Sequence, residues 1–232
     1  MGSIVDLNNA QVAAKLGIPL ILIASGGLGS SFDELELNKA QCEKQGVKVA
    51  GVILNRVLDE KRDMIIEYMN KALKRWDVPL LGAIPYDPFL STPTMSDYEY
   101  LFQTELLTAT EHRWRHYENM ALIASAEELF RIFHLPSQLF IVPADREDIL
   151  LAILKRCWDL KMAHPEEDLK YGLILTGKIA PQKSLIEQIH RAQIPMLYSP
   201  VSSFVAMKMI NSYTTKIRSE DTPKIVEAVR VV

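Results

Sequence analysis

Three short, unbroken apolar runs, separated by polar helix-forming segments, constrain the first hundred residues more than any other feature. The runs are PLILIASGG (19–27), VKVAGVILNRV (47–57) and VPLLGAIP (78–85). Runs of this length without polar alternation suit strands buried on both faces, as in parallel sheets. The intervening segments read as helices. DLNNAQVAAKL (6–16) has Asp6 or Asn8 near its start and Gly17 as its stop. Residues 32–45 are polar and end at Gly46. In DEKRDMIIEYMNKALKRW (59–76), Met64, Ile65, Tyr68, Met69, Ala72 and Leu73 share one face at helical spacing. Alternating helix and apolar strand predicts an α/β fold with a parallel, doubly wound sheet.

The rhythm breaks at YDPFLSTPTMSDYEY (86–100), which carries two prolines and no clean period. It reads as a loop and linker with room for a short helix. The expected division is residues 1–100 and 101–232. A second α/β rhythm then follows. Strands are expected at 118–124, 139–144, 171–177 and 194–199, with helices at 125–133, 146–159, 182–192, 201–211 and 221–230. Residues 163–170 (AHPEEDLK) read as a polar turn.

Bulk properties exclude several function classes. A net charge of −3, spread in both signs, gives no footprint for nucleic acid. Arg113, Arg115 and His116 are flanked by Glu111 and Glu118 and read as a solvated helix face. No apolar run approaches the roughly 18 residues of a membrane span. MGSIVDLNN lacks the basic start and apolar stretch of a signal peptide. Cys42 and Cys157, far apart and outside any CxxC, make neither a disulfide framework nor a zinc site. A cytoplasmic protein with reduced thiols is expected.

Gly172-Leu-Ile-Leu-Thr-Gly177-Lys178 matches a phosphate loop up to its last position. Such a loop needs flexible backbone between its glycines, and Leu173, Ile174 and Leu175 favour a buried strand instead. Ile179 also stands where a magnesium-binding hydroxyl belongs. Gly26, Gly27 and Gly29 follow a buried strand directly. They admit two readings: a plain strand-to-helix turn, or a place where backbone approaches a ligand at the strand carboxyl ends. Asn55 ends its strand with a carboxamide that suits a purine edge or a turn. Asp145, with Glu147 and Asp148 after it, is a natural helix cap, and its turn is also a place for a ligand to dock. His112 and His116 are four apart, but no metal-binding or nucleophile constellation is evident.

At this point LNNAQVAAKLGIPLILIASGGLG, GVILNRV and PLLGAIPYDP resemble the second half of the dethiobiotin-synthetase-like domain. That domain also opens long bacterial phosphotransacetylases and occurs in cobyrinic acid diamide synthases. IVPADREDILLAIL, YGLILTGKIAPQKSLIEQI, IPMLYSPVSSFVAMKMI and KIRSEDTPKIVEAV resemble the DRTGG domain that follows it in those phosphotransacetylases. The resemblance implies an incomplete parallel P-loop-type sheet followed by a small α/β DRTGG-like domain. It implies that Asn55 contacts adenine, that Ile84, Pro85 and Tyr86 border the base, and that the turn Gly26–Gly29 lies near substrate.

The departures carry as much weight. The phosphate loop with its lysine, and a second Gly-rich acidic motif, lie in the family upstream of the helix at 6–16. The lysine, the magnesium ligand and the first central strand are therefore expected to be missing here. The DRTGG motif itself reads Asp145-Arg146-Glu147-Asp148, and the acetyltransferase domain that follows in those relatives is expected to be missing here. No catalytic residue is assigned, and ATP with magnesium belongs to the resemblance alone. Asn55 and an apolar slot could at best hold an adenine ring weakly. The expected function is non-catalytic regulation or small-ligand sensing, with Asp145, Arg146, Thr176 and Gly177 as the second domain's ligand residues. The alternatives are a fragment of an ATP-dependent synthase of the same fold, and a protein interaction module. A lost central strand would leave a sheet edge unpaired, so a homodimer or a docked partner, such as an enzyme of acetate metabolism, is expected.

Overall fold

The computed structural model describes residues 2–5, 7–123, 125, 135–164 and 166–232. Compactness divides the chain into one unit of residues 1–88 with 226–232 and another of 89–225.

The first unit holds α1 (Asn9–Leu16), β1 (Leu20–Ser25), α2 (Gly29–Lys44), β2 (Val49–Val57), α3 (Arg62–Lys74) and β3 (Leu80–Pro85). Asn8 caps α1 through a capping box with Gln11, and Gly17 ends it at φ 66°. Asp6, the other expected start, lies outside the described residues. The strands form an all-parallel sheet in the order β1-β2-β3. Because the order runs one way, right-handed crossovers send α2 and α3 to the same face. That face holds the core: Ala10, Leu35, Cys42, Val52, Leu54, Ile65, Met69 and Leu73.

The opposite face corrects the expectation of strands buried on both sides. Ile21, Ile23 and Leu81 are 51%, 69% and 50% exposed. This unit's C-terminal residues Arg230, Val231 and Val232 line a cleft with Ile53 and Leu81, while Ile21 and Ile23 stand open. The face of α3 is likewise narrower than its sequence suggested. Ile65, Met69 and Leu73 are buried, whereas Met64 and Tyr68 are exposed.

The second unit contains α4 (Met95–Phe102), β4 (Leu106–Thr108), β5 (Asn119–Leu122), β6 (Gln138–Pro143), α5 (Glu147–Ala163) and β7 (Gly172–Thr176). It continues with α6 (Lys183–Arg191), β8 (Met196–Ser199), α7 (Ser203–Ser212) and the start of α8 (Thr222–Val231). The helix expected at 125–133 lies outside the described residues. The sheet order is β4-β8-β7-β6-β5, parallel except for β4 at the edge. Here too the parallel strands advance in one direction, and α5 and α6 share one face with Ile149, Ile153, Leu185 and Ile189 in its core. The other face is closed by α4 and α7 through Met95, Tyr98, Ala206 and Ile210. Each residue of β7 is buried.

The linker expected over 86–100 ends in α4, where Thr94 and Asp97 make a capping box. Asp97 is buried, and besides Thr94 it accepts from Tyr213 Oη at 3.0 Å and Arg218 Nε at 3.2 Å. The compact units accordingly part at 88/89, ahead of the boundary expected near 100. β4 is a further element with no sequence signal, being three residues long.

Candidate functional site

In the first unit the strand carboxyl ends collect the residues singled out for a nucleotide. Register pairs Ser25 with Asn55 and Val57 with Pro85. A Cβ on Gly26 would lie 2.5 Å from Val57 Cα and 2.6 Å from the Arg56 carbonyl oxygen. Gly26 therefore lets β1 leave the sheet across the end of β2. Gly27 stands close to Ser31, whose hydroxyl meets Ser25 Oγ at 2.8 Å. Gly29 opens α2 with free space around it.

Asn55 is exposed, and beside it lies a residue that pattern reading missed. The β2–β3 register slips between Leu54 and Val57, and Arg56 inside that irregularity has φ 63°. A left-handed arginine is uncommon, and bulges re-aim side chains at strand ends. The Arg56 guanidinium carbon sits 5.1 Å from the centroid of the Tyr86 ring, in cation–π range. Tyr86 is itself fixed by its N–H donating to the Val57 carbonyl at 2.8 Å. The result is a ledge of Tyr86 and Arg56 at the carboxyl end of β2, where Asn55 is exposed. Among the described residues no group of three or more His, Cys, Asp or Glu side chains is placed to hold a metal ion.

In the second unit, β6, β7 and β8 end in register at Pro143, Thr176 and Ser199. The connection after β7 leads to α6 on one face, and that after β8 leads to α7 on the other. Ligands of open α/β sheets bind where neighbouring connections diverge in this way. Here the crevice is spanned by the chain's own hydrogen bonds. Gly177 N–H donates to the Val201 carbonyl at 2.7 Å, Tyr198 Oη donates to the Gly177 carbonyl at 2.7 Å, and the Thr176 and Ser203 hydroxyls meet at 2.7 Å. Gly177 has φ 104°, which a side chain would oppose. Ile179 and Phe204 stand exposed on the two sides.

Asp145 is exposed and does not cap α5. The cap position is Arg146, whose guanidinium makes a two-point contact with Asp148 at 2.9 and 2.8 Å. Glu147 is engaged by Gln182 at 2.8 Å. The phosphate-loop-like stretch is the strand β7. A Cβ on Gly172 would meet the Tyr117 hydroxyl at 2.2 Å, so this glycine makes room for a buried ring.

The expected solvated face of Arg113, Arg115 and His116 is instead a set of ties between segments. Arg113 pairs with Glu99, Arg115 with Asp168 at 2.7 Å, and His116 Nε2 with Asp221 Oδ1 at 2.9 Å. No described helix is long and apolar enough to cross a membrane.

Residues 2–94 match the AAA domain family and residues 101–213 match the DRTGG domain family. The phosphate acetyltransferase of Nitratidesulfovibrio vulgaris is 25% identical over 225 residues, 94% of this chain and 31% of that protein. Those of Nitrosomonas europaea and Deinococcus radiodurans are 28% and 27% identical, over 62% and 84% of the chain and 22% and 28% of theirs. The chain thus spans less than a third of the length of these curated relatives. Among solved structures, the CBS and DRTGG domains of the Clostridium perfringens pyrophosphatase regulatory region, complexed with diadenosine tetraphosphate, align at a TM-score of 0.40. That alignment has 15% identity and covers 91% of this chain and 86% of the other.

Proposed function

We propose that this chain, an AAA domain followed by a DRTGG domain as in the N-terminal region of phosphotransacetylases, senses a small ligand and regulates without catalysing. The divergence of the connections after β7 and β8 carries this reading. In that crevice the Gly177 N–H and the Tyr198, Thr176 and Ser203 hydroxyls are engaged within the chain, and Thr176 Oγ1 also reaches the Val142 carbonyl at 3.4 Å. A ligand that took over the Gly177 N–H or the Thr176 and Ser203 hydroxyls would release the turn at 200–203. That exchange of bonds is how a sensing site changes shape at small net cost. Asp145, Arg146, Thr176 and Gly177 are its proposed contacts.

Calorimetry with ATP, acetyl-CoA and acetyl phosphate tests the reading. Saturable heat is expected with one of them, weakened about tenfold in Asp145→Ala, as loss of one polar contact in a small site implies. Absence of heat with all three overturns ligand sensing.

One observation favours an accompanying partner. β1 is an edge strand whose free side forms a groove of about 670 Å³ with Asn8, Glu34, Asn38 and Gln41, and the sheet face beside it is bare and apolar. Unpaired edges next to exposed aliphatic side chains invite another chain. A homodimer across β1 is the proposed state, and sedimentation equilibrium showing only monomer would remove it.

A further inference from the structure

A second cleft of about 450 Å³ lies in the DRTGG unit, at the end of the sheet opposite Asp145 and Gly177. Its floor comes from residues that lead into three adjacent parallel strands: Tyr117 before β5, Ser137 before β6 and Lys170 before β7. Its walls are aromatic. Phe89 packs on His116 with ring centroids 4.8 Å apart, and Trp114, from the segment 109–118, also lines the cleft.

Two features set this cleft apart from an accidental hollow. First, Ser137 and Lys170 have φ of 56° and 53°, and Ala109, where the wall segment begins, has φ 47°. Left-handed non-glycine residues gather where surrounding contacts over-determine a binding surface. Ser137 is held by its N–H donating to the Leu169 carbonyl at 2.7 Å, and Lys170 by its N–H donating to Asp168 at 2.7 Å. Second, the groups on its surface are left without work in the fold. The Trp114 indole, the His112 imidazole and the Lys170 ammonium have no hydrogen-bond or ring partner among the described residues, whereas Arg115 and His116 are committed to Asp168 and Asp221.

The charge pattern narrows the ligand. Glu111 and Glu118 are exposed at the rim, so one lysine faces two carboxylates and a bare anion is disfavoured. Burial, and then the neighbouring Arg115, lower the His112 pKa and favour its neutral form, able to donate at one nitrogen and accept at the other. Flat aromatic walls, a neutral imidazole, an indole N–H donor and rim carboxylates match a planar heterocycle with mixed donors and acceptors, carrying sugar hydroxyls.

We propose that this cleft is a purine nucleoside site, with Phe89 and Trp114 against the ring, His112 and the indole N–H on its edge, and Glu111 or Glu118 accepting from the sugar. Lys170 meets a 5′-phosphate where the ligand has one. The site is separate from the carboxyl-end crevice and stands or falls independently of it.

Trp76→Phe/Trp158→Phe leaves Trp114 as the sole tryptophan. Titration with adenosine and with AMP is expected to quench it saturably, with dissociation constants on the order of 10 μM to 1 mM, as for a small half-open site. In calorimetry on the otherwise unchanged chain, Trp114→Ala and His112→Ala should weaken adenosine about tenfold or more, as loss of a central contact does. Lys170→Ala should weaken AMP and leave adenosine unchanged. Asp145→Ala should change neither. Circular dichroism and an unchanged thermal midpoint show that each variant is folded. The proposal is overturned if neither compound gives a saturable signal up to about 10 mM, an affinity below any useful site. It is equally overturned if binding survives Trp114→Ala and His112→Ala but is lost in Asp145→Ala, an outcome that supports the carboxyl-end site instead.

Discussion

The two sheets share a plan and differ in what was added to it. In both, parallel strands advance in one direction, so the crossover helices collect on a single face. The second unit then covers the other face with α4 ahead of the parallel strands and α7 after them, and closes one edge with the antiparallel β4. Among its described residues the first adds only the short C-terminal piece 226–232, beside Leu81. Ile21, Ile23 and Leu81 stay half or more exposed, and β1 keeps a free edge. Similar aliphatic side chains therefore do different work: in β7 they hold a fold together, and in β1 they are available to another surface.

The strongest way to break this contrast is to truncate one isoleucine in each sheet. Ile174 is fully buried at the centre of β7, and its replacement by Ala should cost about 2–5 kcal/mol, transfer and cavity together. Ile23→Ala should change stability by no more than about 0.5 kcal/mol, as for surface positions. Urea unfolding followed in the full chain reads both. Equal losses would mean that the bare face is covered in solution, which is itself informative about the partner.

Next in size is a pair of glycines that serve packing rather than turns. Gly26→Ala drives a methyl group into β2 backbone, which cannot swing aside, and should cost about 1–3 kcal/mol. Gly172→Ala meets the ring of Tyr117, which is buried in the second core, and should cost a similar amount. Thermal unfolding measures each. If Gly26→Ala is neutral, β1 does not leave the sheet as described.

A smaller effect on stability, but a larger one on assembly, is expected from Ile23→Asp. A charge on an exposed position should leave unfolding within about 0.5 kcal/mol of the parent, while a dimer built on that face should dissociate. Sedimentation of parent and variant side by side decides. A parent dimer that survives the charge places the interface elsewhere.

How much of this was legible in the residues divides along the same line. Strand positions followed from unbroken apolar runs, and all but β4 were placed to within a few residues. Burial on both faces did not follow, because LILIA reads the same whether or not a helix covers it. The helix α4 was hidden by Pro88 and Pro93 ahead of it, although its Thr94–Asp97 box is a local start signal. At the site, Asn55, Tyr86 and the glycines could be named because strand ends and glycines are visible in one dimension. Arg56 could not, since its role depends on a register slip between two strands. The Trp114 cleft escaped for a similar reason: it is assembled from segments that meet only when three strands lie side by side.

The smallest effect concerns acid. Burial, and after it the nearby Arg115, hold the His112 pKa below its ordinary value. The unfolded chain, titrating near 6.5, therefore takes up a proton before the folded one does. The sign follows from linkage. Above about pH 6.5 both states are neutral and nothing is lost; as pH falls below it, the unfolded state is favoured and the second unit weakens. No histidine lies in residues 1–88 or 226–232, so the first unit lacks this response. Urea midpoints at pH 7.5, 6.5 and 5.5 should fall more steeply for the parent than for His112→Gln if His112 is responsible. Because the ring is partly open to water, the difference should be smaller than any of the effects above. Parallel pH curves for the two proteins would assign acid sensitivity to other groups and leave the contrast between the sheets resting on packing alone.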